Sequence, residues 1–167
     1  TLITGPTREK ISNSLVTLVP ITSAEEMYVA AHEYFLNSDV VICAAAVADY
    51  KPKNIATQKI KKKETTFNIE LVKTKDILAS LGAIKKEQFL IGFALETNNE
   101  IENAKVKLER KKLDFIVLNS LQDKGAGFGK STNKITIIDK DDSLTSFELK
   151  SKKDVATDIV NYLLKKI

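Results

Sequence analysis

Three short, continuous apolar runs constrain the fold of this chain more than any other feature. They span residues 40–46, 89–94 and 115–118. A run without polar alternation predicts a strand that is buried on both faces, as in a parallel sheet covered by helices. Amphipathic patterns lie between the runs, and one of them opens with a capping box formed by Ser23 and Glu26. The sequence therefore predicts an α/β fold with a mostly parallel sheet and helices on both faces.

Weaker signals complete the predicted order of elements. Thr74 is a candidate cap for a short helix over residues 75–84. Residues 135–138 and 144–149 flank a polar turn, which predicts an antiparallel hairpin near the C-terminal end of the chain. Ser151, with an acidic residue three positions later, opens the last predicted helix.

The distance between the first two predicted strands does not fit this architecture. Only about ten residues separate a strand at 2–4 from a strand at 15–19, whereas a whole unit of strand, helix and parallel strand usually takes about 30 residues. Either the strands are joined in an unusual way, or a segment is missing near residues 10–15, with a second join near residues 20–21. We expect such a segment to be disordered rather than deleted, and the chain to be one domain, residues 1–167, of a longer protein.

Composition excludes several kinds of site. The single cysteine, Cys43, excludes an internal disulfide, and the single histidine, His32, excludes ordinary zinc-ligand clusters. No apolar run approaches about 18 residues, so we expect no membrane span. The single thiol and the lack of a recognisable targeting segment predict a cytoplasmic location. A formal net charge of +4 is compatible with an anionic ligand but is too small by itself to indicate a nucleic-acid partner.

The stretch from Cys43 to Asp49 is the strongest candidate for a ligand site. It reads Cys-Ala-Ala-Ala-Val-Ala-Asp and follows directly on a predicted buried strand. In open α/β sheets ligands bind at the carboxyl ends of the strands, and small residues there let a ligand approach the backbone. Asp49, the first charged residue after the run, could accept hydrogen bonds from that ligand. The alternative is a strand that ends in an ordinary polar turn.

Each group of basic residues has two interpretations. The lysine-rich stretch 59–63 is either a loop that folds over phosphates or a solvated charge run. Lys107 and Lys111 are four positions apart, so they share one helix face and either clamp a triphosphate or belong to an exposed lysine face.

Two glycine-containing stretches carry further hypotheses. Gly92, inside a predicted strand, indicates close approach to the backbone, and Phe93 is either a stacking partner for a base or a core residue. The glycine-rich stretch 125–129 does not open a helix directly after a strand, so it is not a dinucleotide-binding fingerprint. We interpret it as a flexible lid.

Several motifs occur in a fixed order along the chain. They are Gly5-Pro-Thr-Arg-Glu-x-Ile11, Ser23-Ala-Glu-Glu-Met27, Ala44-Ala-Ala-Val-Ala-Asp-Tyr50, Lys59-Ile-Lys-Lys62, Asp76-Ile-Leu78, Gly92-Phe-Ala-x-Glu-Thr97, Lys111-x-x-Asp114 and Asn119. This set resembles the phosphopantothenate–cysteine ligase family, also called phosphopantothenoylcysteine synthetases, and most closely the bacterial form fused behind a flavin-dependent decarboxylase. The resemblance runs from about residue 1 to residue 156.

The resemblance implies a Rossmann-like fold and a two-step reaction of coenzyme A biosynthesis. The family activates 4′-phosphopantothenate with CTP to an acyl-cytidylate and pyrophosphate, and the amine of L-cysteine then displaces CMP. The resemblance also implies Mg²⁺ with the nucleotide and a homodimer. FMN would belong only to a fused decarboxylase domain that is not in this chain, and no nucleic-acid or membrane partner is implied.

The same resemblance assigns roles to individual residues. It implies catalytic roles for Lys59, as a mobile-loop lysine, and for Asn13. It implies nucleotide contacts for Cys43, Ala44, Ala45, Asp49, Lys59, Phe93, Lys107 and Lys111, and nucleotide contacts through backbone groups for Lys75, Asp76, Ile77 and Leu78. No metal ligand can be assigned. The family's glycine-lysine turn and following helix are absent after Asn13, which is where the strand spacing is too short.

Two other functions fit the predicted fold class less well. A nicotinamide-dependent oxidoreductase needs a glycine-rich phosphate turn and an acidic residue after the second strand, and the sequence shows neither. A non-catalytic protein that binds nucleotides or nucleic acid could use the lysine loops. Its RNA-binding sheet would need aromatic residues interleaved with basic ones, and Phe67, Phe89 and Phe128 are not placed in that way.

Overall fold

The computed structural model describes residues 1–7, 9, 11–61, 65–120 and 129–167. Within these residues the chain forms eleven strands and four helices. In chain order they are β1 (Leu2–Thr4), β2 (Leu18–Pro20), α1 (Ala24–Phe35), β3 (Val40–Cys43), β4 (Tyr50–Pro52), β5 (Leu71–Lys73), α2 (Ile77–Ile84), β6 (Phe89–Glu96), α3 (Glu100–Arg110), β7 (Phe115–Ser120), β8 (Thr132–Asn133), β9 (Ile135–Asp139), β10 (Leu144–Ser146), β11 (Lys150–Ser151) and α4 (Lys152–Leu163).

A five-stranded mixed sheet forms the centre of the molecule, with the strand order β10-β9-β7-β6-β3. The three predicted apolar runs become β3, β6 and β7, which pair in parallel. Strand β9 runs antiparallel to β7, and β10 runs antiparallel to β9. The predicted α/β fold and its C-terminal antiparallel hairpin are therefore confirmed.

Helices cover both faces of this sheet, and the pleat of β6 shows how. On one face Leu90 lies in a core with Leu81 of α2 and Leu108 of α3. On the other face Ile91, the next residue along the strand, lies in a core with Ile159 of α4. Successive side chains of a strand point to opposite faces, so a strand covered on both sides must be apolar at every position.

The predicted helix starts at Ser23 and Ser151 are confirmed. The Oγ of Ser23 accepts a hydrogen bond from the Glu26 amide at 3.2 Å, and the Oγ of Ser151 accepts one from the Asp154 amide at 3.1 Å. Each bond satisfies one of the amides that a helix N-terminus leaves without an internal partner. The carboxylate of Glu26 reaches back to the amide of Thr22 at 2.7 Å.

The first two strands depart most from the predicted elements. Strand β2 occupies residues 18–20 rather than 15–19, and Leu15 is 91% exposed. Strands β1 and β2 pair in parallel as a separate two-stranded sheet, and the described part of their connection over residues 5–17 contains no helix. Strands of three residues depend on their pairing partner more than on local pattern, which is why the boundary was wrong. A missing segment near residues 10–15, with a join near 20–21, stays a prediction.

A small antiparallel arm, β4 paired with β5, leaves the body of the molecule directly after the candidate stretch 43–49. The connection between the two strands carries Lys59. Among the helices that the structure describes, none is long and apolar enough to cross a membrane.

Candidate active site

A cleft of about 650 Å³ opens beside β3 and extends to its carboxyl end. Strands β1 and β3, the stretch that follows β3, helix α1 and the start of α2 form its walls. Phe93 of β6 and Lys111, which caps the C-terminal end of α3, complete the lining. A cavity of this size is large enough for a nucleotide-sized ligand.

The structure brings ten of the sequence-predicted site residues together along this cleft. They are Cys43, Ala44, Ala45, Asp49, Lys75, Asp76, Ile77, Leu78, Phe93 and Lys111. The topology explains why, because β3 and β6 are parallel neighbours whose carboxyl ends lie at the same edge of the sheet. Their contacts with a nucleotide stay predictions.

The loop after β3 is tied to the segment that leads into α2. The amide of Val47 donates to the carbonyl of Ala45 at 3.1 Å, which turns the chain sharply after the strand. The amide of Thr74 donates to the carbonyl of Asp49 at 2.9 Å, and the Thr74 hydroxyl donates to the carbonyl of Ala48 at 2.5 Å. These bonds fix the two cleft-lining segments relative to each other.

Asp76, not Thr74, caps helix α2. Its Oδ1 accepts a hydrogen bond from the Ala79 amide at 3.0 Å and a second one from Lys111 Nζ at 2.9 Å. Partial burial alone would raise the pKa of Asp76, but the Ala79 amide and the Lys111 ammonium outweigh it and hold that pKa below its ordinary value. Asp76 is therefore a carboxylate at neutral pH and neutralises part of the charge of Lys111.

Lys75 is held against helix α1 at the rim of the cleft. Its Nζ lies 2.6 Å from Glu25 Oε1 and 4.3 Å from the ring centroid of Tyr28. The hydrogen bond to Glu25 raises the pKa of Lys75, so the amine stays protonated. An ammonium ion over an aromatic face gains a further electrostatic attraction. Sequence reasoning missed Glu25 and Tyr28, although the Ser23–Met27 motif pointed to this part of the helix.

Cys43 lines the cleft as a neutral thiol. Burial raises its pKa to about 11, and the positive charge of Lys111 offsets only part of that rise. A thiol with such a pKa is a poor nucleophile at neutral pH, so Cys43 contributes shape and apolar surface rather than covalent chemistry.

Gly92 admits a neighbouring helix and a loop side chain. A Cβ at Gly92 would lie 2.6 Å from Leu78 Cδ2 and 2.9 Å from Leu113 Cδ1. The close approach predicted for this glycine is therefore an approach of core side chains. Phe93 points to the opposite face of the sheet, where it packs against the core, and it also lines the cleft. Its stacking on a base stays a prediction.

Lys107 lies on α3 one turn before Lys111 but does not line the cleft. Its Nζ contacts Glu96 Oε1 at 2.5 Å, and Glu96 also accepts a hydrogen bond from Asn103 at 3.3 Å. The two lysines share a helix face, as predicted, yet they have different carboxylate partners. The two lysines therefore have different surroundings, although their spacing in the sequence predicts the same role for both.

Two residues with predicted catalytic roles lie outside the cleft. Lys59 is exposed in the loop between β4 and β5. Asn13 is exposed between β1 and β2, where its Oδ1 accepts a hydrogen bond from the Leu15 amide at 2.9 Å. Of the stretches interpreted as loops or lids, residues 62–63 and 125–128 fall outside the described residues.

The described residues contain no group of three or more histidine, cysteine, aspartate or glutamate side chains that could hold a metal ion. Asp49 and Asp76 are the carboxylates among the residues that line the cleft. Since Asp76 is occupied by Lys111 and the Ala79 amide, this part of the chain does not form a metal cage of its own.

Comparisons with known proteins agree on one family. The model of the DNA/pantothenate metabolism flavoprotein C-terminal domain matches residues 1–167. A relative from an unknown prokaryotic organism, called cysteine/cysteine sulfinic acid decarboxylase, is 50% identical over 165 residues, which make up 98% of this chain and 46% of that protein. The coenzyme A biosynthesis bifunctional protein CoaBC of Bacillus subtilis (strain 168) is 42% identical over 159 residues, or 95% of this chain and 39% of that protein.

A solved structure supports the same relationship. The crystal structure of the C-terminal domain of the coenzyme A biosynthesis bifunctional protein CoaBC matches this chain with a TM-score of 0.79 and 38% sequence identity. The match covers 98% of this chain and 74% of the crystallised chain. The chain spans less than half the length of the two curated relatives. It belongs to the family of the DNA/pantothenate metabolism flavoprotein C-terminal domain and is homologous to the C-terminal domain of CoaBC.

Proposed function

We propose that this chain is a CTP-dependent phosphopantothenate–cysteine ligase domain. In the first step a carboxylate oxygen of 4′-phosphopantothenate attacks the α-phosphorus of CTP, and pyrophosphate leaves. In the second step the amine of L-cysteine attacks the acyl carbon, and CMP leaves. The product is an amide.

One observation carries this proposal. Ten residues to which the ligase resemblance gives nucleotide contacts converge on a single cleft at the carboxyl end of a parallel strand. They come from four separate parts of the chain. The topology of the sheet brings these parts together, but it does not determine which residue types occur in them. The fold alone does not require the small residues between Cys43 and Asp49, or the two lysines, Lys75 and Lys111, at one edge of the sheet. Their presence there indicates a binding site rather than a requirement of folding.

The residues fit the steps as follows. Exposed small side chains at Ala44 and Ala45 leave room for the nucleotide against the backbone. Lys111 supplies a fixed positive charge for the phosphates, because charge develops there as pyrophosphate leaves. Lys59, on the loop after β4, would close over the site and keep water from the acyl-cytidylate.

Two residues enter the proposal with less direct roles. Lys107 would have to leave Glu96 before it could reach a phosphate, so we give it a smaller share of nucleotide binding than Lys111. Asn13 would act on the acyl-phosphate region only if the segment between β1 and β2 rearranges, since it lies outside the cleft.

Magnesium enters as part of the substrate. Mg²⁺ keeps several waters and binds through nucleotide phosphates and one or two carboxylates. We propose that CTP arrives as its magnesium complex and that Asp49, an exposed carboxylate among the cleft residues, is available to that complex. A homodimer, which the resemblance implies, and a cytoplasmic location complete the proposal.

The test is pyrophosphate release from purified protein with 4′-phosphopantothenate, L-cysteine, Mg²⁺ and either CTP or ATP. The proposal predicts release that depends on CTP and on phosphopantothenate, and a loss of at least about tenfold in Lys59→Ala. Lys53→Ala, which removes a lysine that pairs with Glu70 on the arm, is the matched control and should keep full activity. Pyrophosphate release with ATP but not with CTP would overturn the assignment of CTP as the nucleotide. No release with either nucleotide would overturn the proposed ligase activity.

One relative is called a decarboxylase, and the same reaction mixtures test that alternative. Carbon dioxide released from L-cysteine or from cysteine sulfinic acid, without a nucleotide, would assign decarboxylation to this domain. We propose that none is released, because the residues of the cleft match the ligase motifs.

A further inference from the structure

Helix α2 holds Lys111 at two points. At one point the backbone carbonyl of Lys111 approaches Gly82 so closely that a Cβ there would lie 1.9 Å from the oxygen. At the other point Lys111 Nζ lies 2.9 Å from Asp76 Oδ1, at the N-terminal end of the same helix. The backbone and the ammonium group of this lysine are therefore both placed by α2, although Lys111 itself caps α3.

The surroundings of Lys111 differ from those of the other lysines on α3. Its side chain is only 16% exposed, against 37% for Lys107 and 33% for Lys105. Lys111 and Cys43, at the end of β3, line the same cleft, and the positive charge of Lys111 offsets part of the rise in the pKa of the Cys43 thiol. A lysine that is largely shielded from solvent attracts an anionic ligand more strongly than an exposed lysine does, because water screens its charge less.

Asp76 can place this ammonium because its own position is fixed independently. The same Oδ1 that meets Lys111 also accepts the capping hydrogen bond of the Ala79 amide. A side chain anchored to the helix backbone loses little further freedom when it holds a partner.

We propose that Asp76 is a positioning residue whose carboxylate aims Lys111 at the phosphates of the bound nucleotide. The inference rests on the proposed function and adds to it a role for the Asp76 side chain. The nucleotide contact that the ligase resemblance implies for Asp76 belongs to its backbone, and its carboxylate does not touch the nucleotide. It acts through Lys111, and Gly82 leaves the space that brings the lysine backbone into range.

The first arm of the test measures the position of Lys111 without any catalysis. Purified wild-type protein, Asp76→Asn and Asp142→Asn are acetylated briefly with an N-hydroxysuccinimide ester, and the rate at each lysine is followed by mass spectrometry. Asparagine caps helices as well as aspartate does, so Asp76→Asn removes the charge and keeps the cap. Asp142→Asn is the matched control, because it breaks the ion pair of Lys105, another lysine of α3. Asp142 has a φ of 62°, a backbone conformation that asparagine tolerates.

The proposal predicts acetylation about fivefold faster at Lys111 in Asp76→Asn, the factor expected when a partly exposed ion pair is lost. Lys107 should not change in either variant, and Lys105 should become faster only in Asp142→Asn. An unchanged rate at Lys111 in Asp76→Asn would overturn the proposal, whatever the enzyme does.

The second arm measures CTP-dependent pyrophosphate release and CTP binding in the same proteins. Asp76→Asn should lower kcat about tenfold, because Lys111 is misplaced. The Kd of CTP should stay within about twofold, because the loss of a negative charge beside the phosphates offsets the weaker contact with Lys111. Unchanged kcat, or a Kd weakened as much as kcat falls, would overturn the positioning role. If wild-type protein releases no pyrophosphate, the proposed function fails, and the acetylation rates alone decide whether Asp76 positions Lys111.

Discussion

Lys107 on α3 and Lys111 at its C-terminal cap carry the same charge, yet we expect them to contribute unequally to nucleotide binding. Lys111 lines the cleft, whereas Lys107 is paired with Glu96 away from it. We expect Lys111→Ala to weaken CTP binding by about 1–3 kcal/mol, the value of a charge-assisted contact. We expect Lys107→Ala to weaken it by less than about 1 kcal/mol. Titration calorimetry of CTP into each variant measures both losses.

Lys105→Ala provides the baseline for that comparison, because Lys105 lies on the same helix and pairs with Asp142. It should leave CTP affinity unchanged. Equal losses of CTP affinity in the Lys107 and Lys111 variants would contradict the expected difference between the two lysines. They would mean that Lys107 leaves Glu96 when the nucleotide binds.

Asp139 predicts how the stability of the chain depends on pH. Burial by itself would raise the pKa of Asp139. Hydrogen bonds from Lys166, Tyr162 and the amides of Ser143 and Asp141 outweigh that effect and lower the pKa from an ordinary 3.8 to about 2. A depressed carboxyl pKa stabilises the folded state above the unfolded-state value, and that contribution is lost as the pH falls from about 4 to about 2. It amounts to about 2 kcal/mol.

Urea unfolding of Asp139→Asn across this pH range tests the prediction. The variant should be about 2 kcal/mol less stable than wild type at pH 7, and the difference should shrink as the pH falls below 4. Asp141→Asn, a change of the same kind at an exposed position on the same turn, should follow the wild-type curve. A constant difference between Asp139→Asn and wild type at every pH would show that the charge of Asp139 is not the cause.

At the scale of elements, Gly92 in β6 sets how closely α2 packs on the sheet. A Cβ at this position would overlap Leu78 and Leu113, both of which belong to the core on that face. Gly92→Ala should therefore lower the free energy of unfolding by about 1–3 kcal/mol, the usual cost of overpacking. Chemical denaturation at neutral pH measures the change.

Gly5→Ala is the matched substitution, because a Cβ at Gly5 would meet only Ile21 Cδ1 at an ordinary 3.9 Å. It should change stability by no more than about 0.5 kcal/mol. If both alanine variants were equally stable, the close approach of α2 to β6 would not limit the packing of this face.

The elements that were predictable are those defined by local sequence. The capping residues Ser23 and Ser151 mark their helices because the hydrogen bonds that start a helix lie within one turn. The boundary of β2 and the cap of α2 were not predictable in this way. Thr74 and Asp76 are both good caps by type, and Thr74 is instead bonded to Ala48, a contact that only the folded chain creates.

At the scale of the whole molecule, apolar runs were enough to predict the central sheet, since a strand buried on both faces has no other composition. The cleft followed from the same topology, which places the ends of β3 and β6 together. The carboxylates that hold the cleft lysines could not be predicted in the same way. Glu25 is 50 positions from Lys75, and Asp76 is 35 positions from Lys111, so nothing in the local pattern links them.

The proposed two-step reaction is tested most directly by the stoichiometry of pyrophosphate release without L-cysteine. Protein at known concentration is mixed rapidly with CTP, Mg²⁺ and 4′-phosphopantothenate, and pyrophosphate is followed through the first turnover. An acyl-cytidylate protected in the cleft predicts a burst of about one pyrophosphate per active site, followed by a slow phase that L-cysteine accelerates. Pyrophosphate that appears only after L-cysteine is added would contradict the two-step reaction that we propose for the cleft.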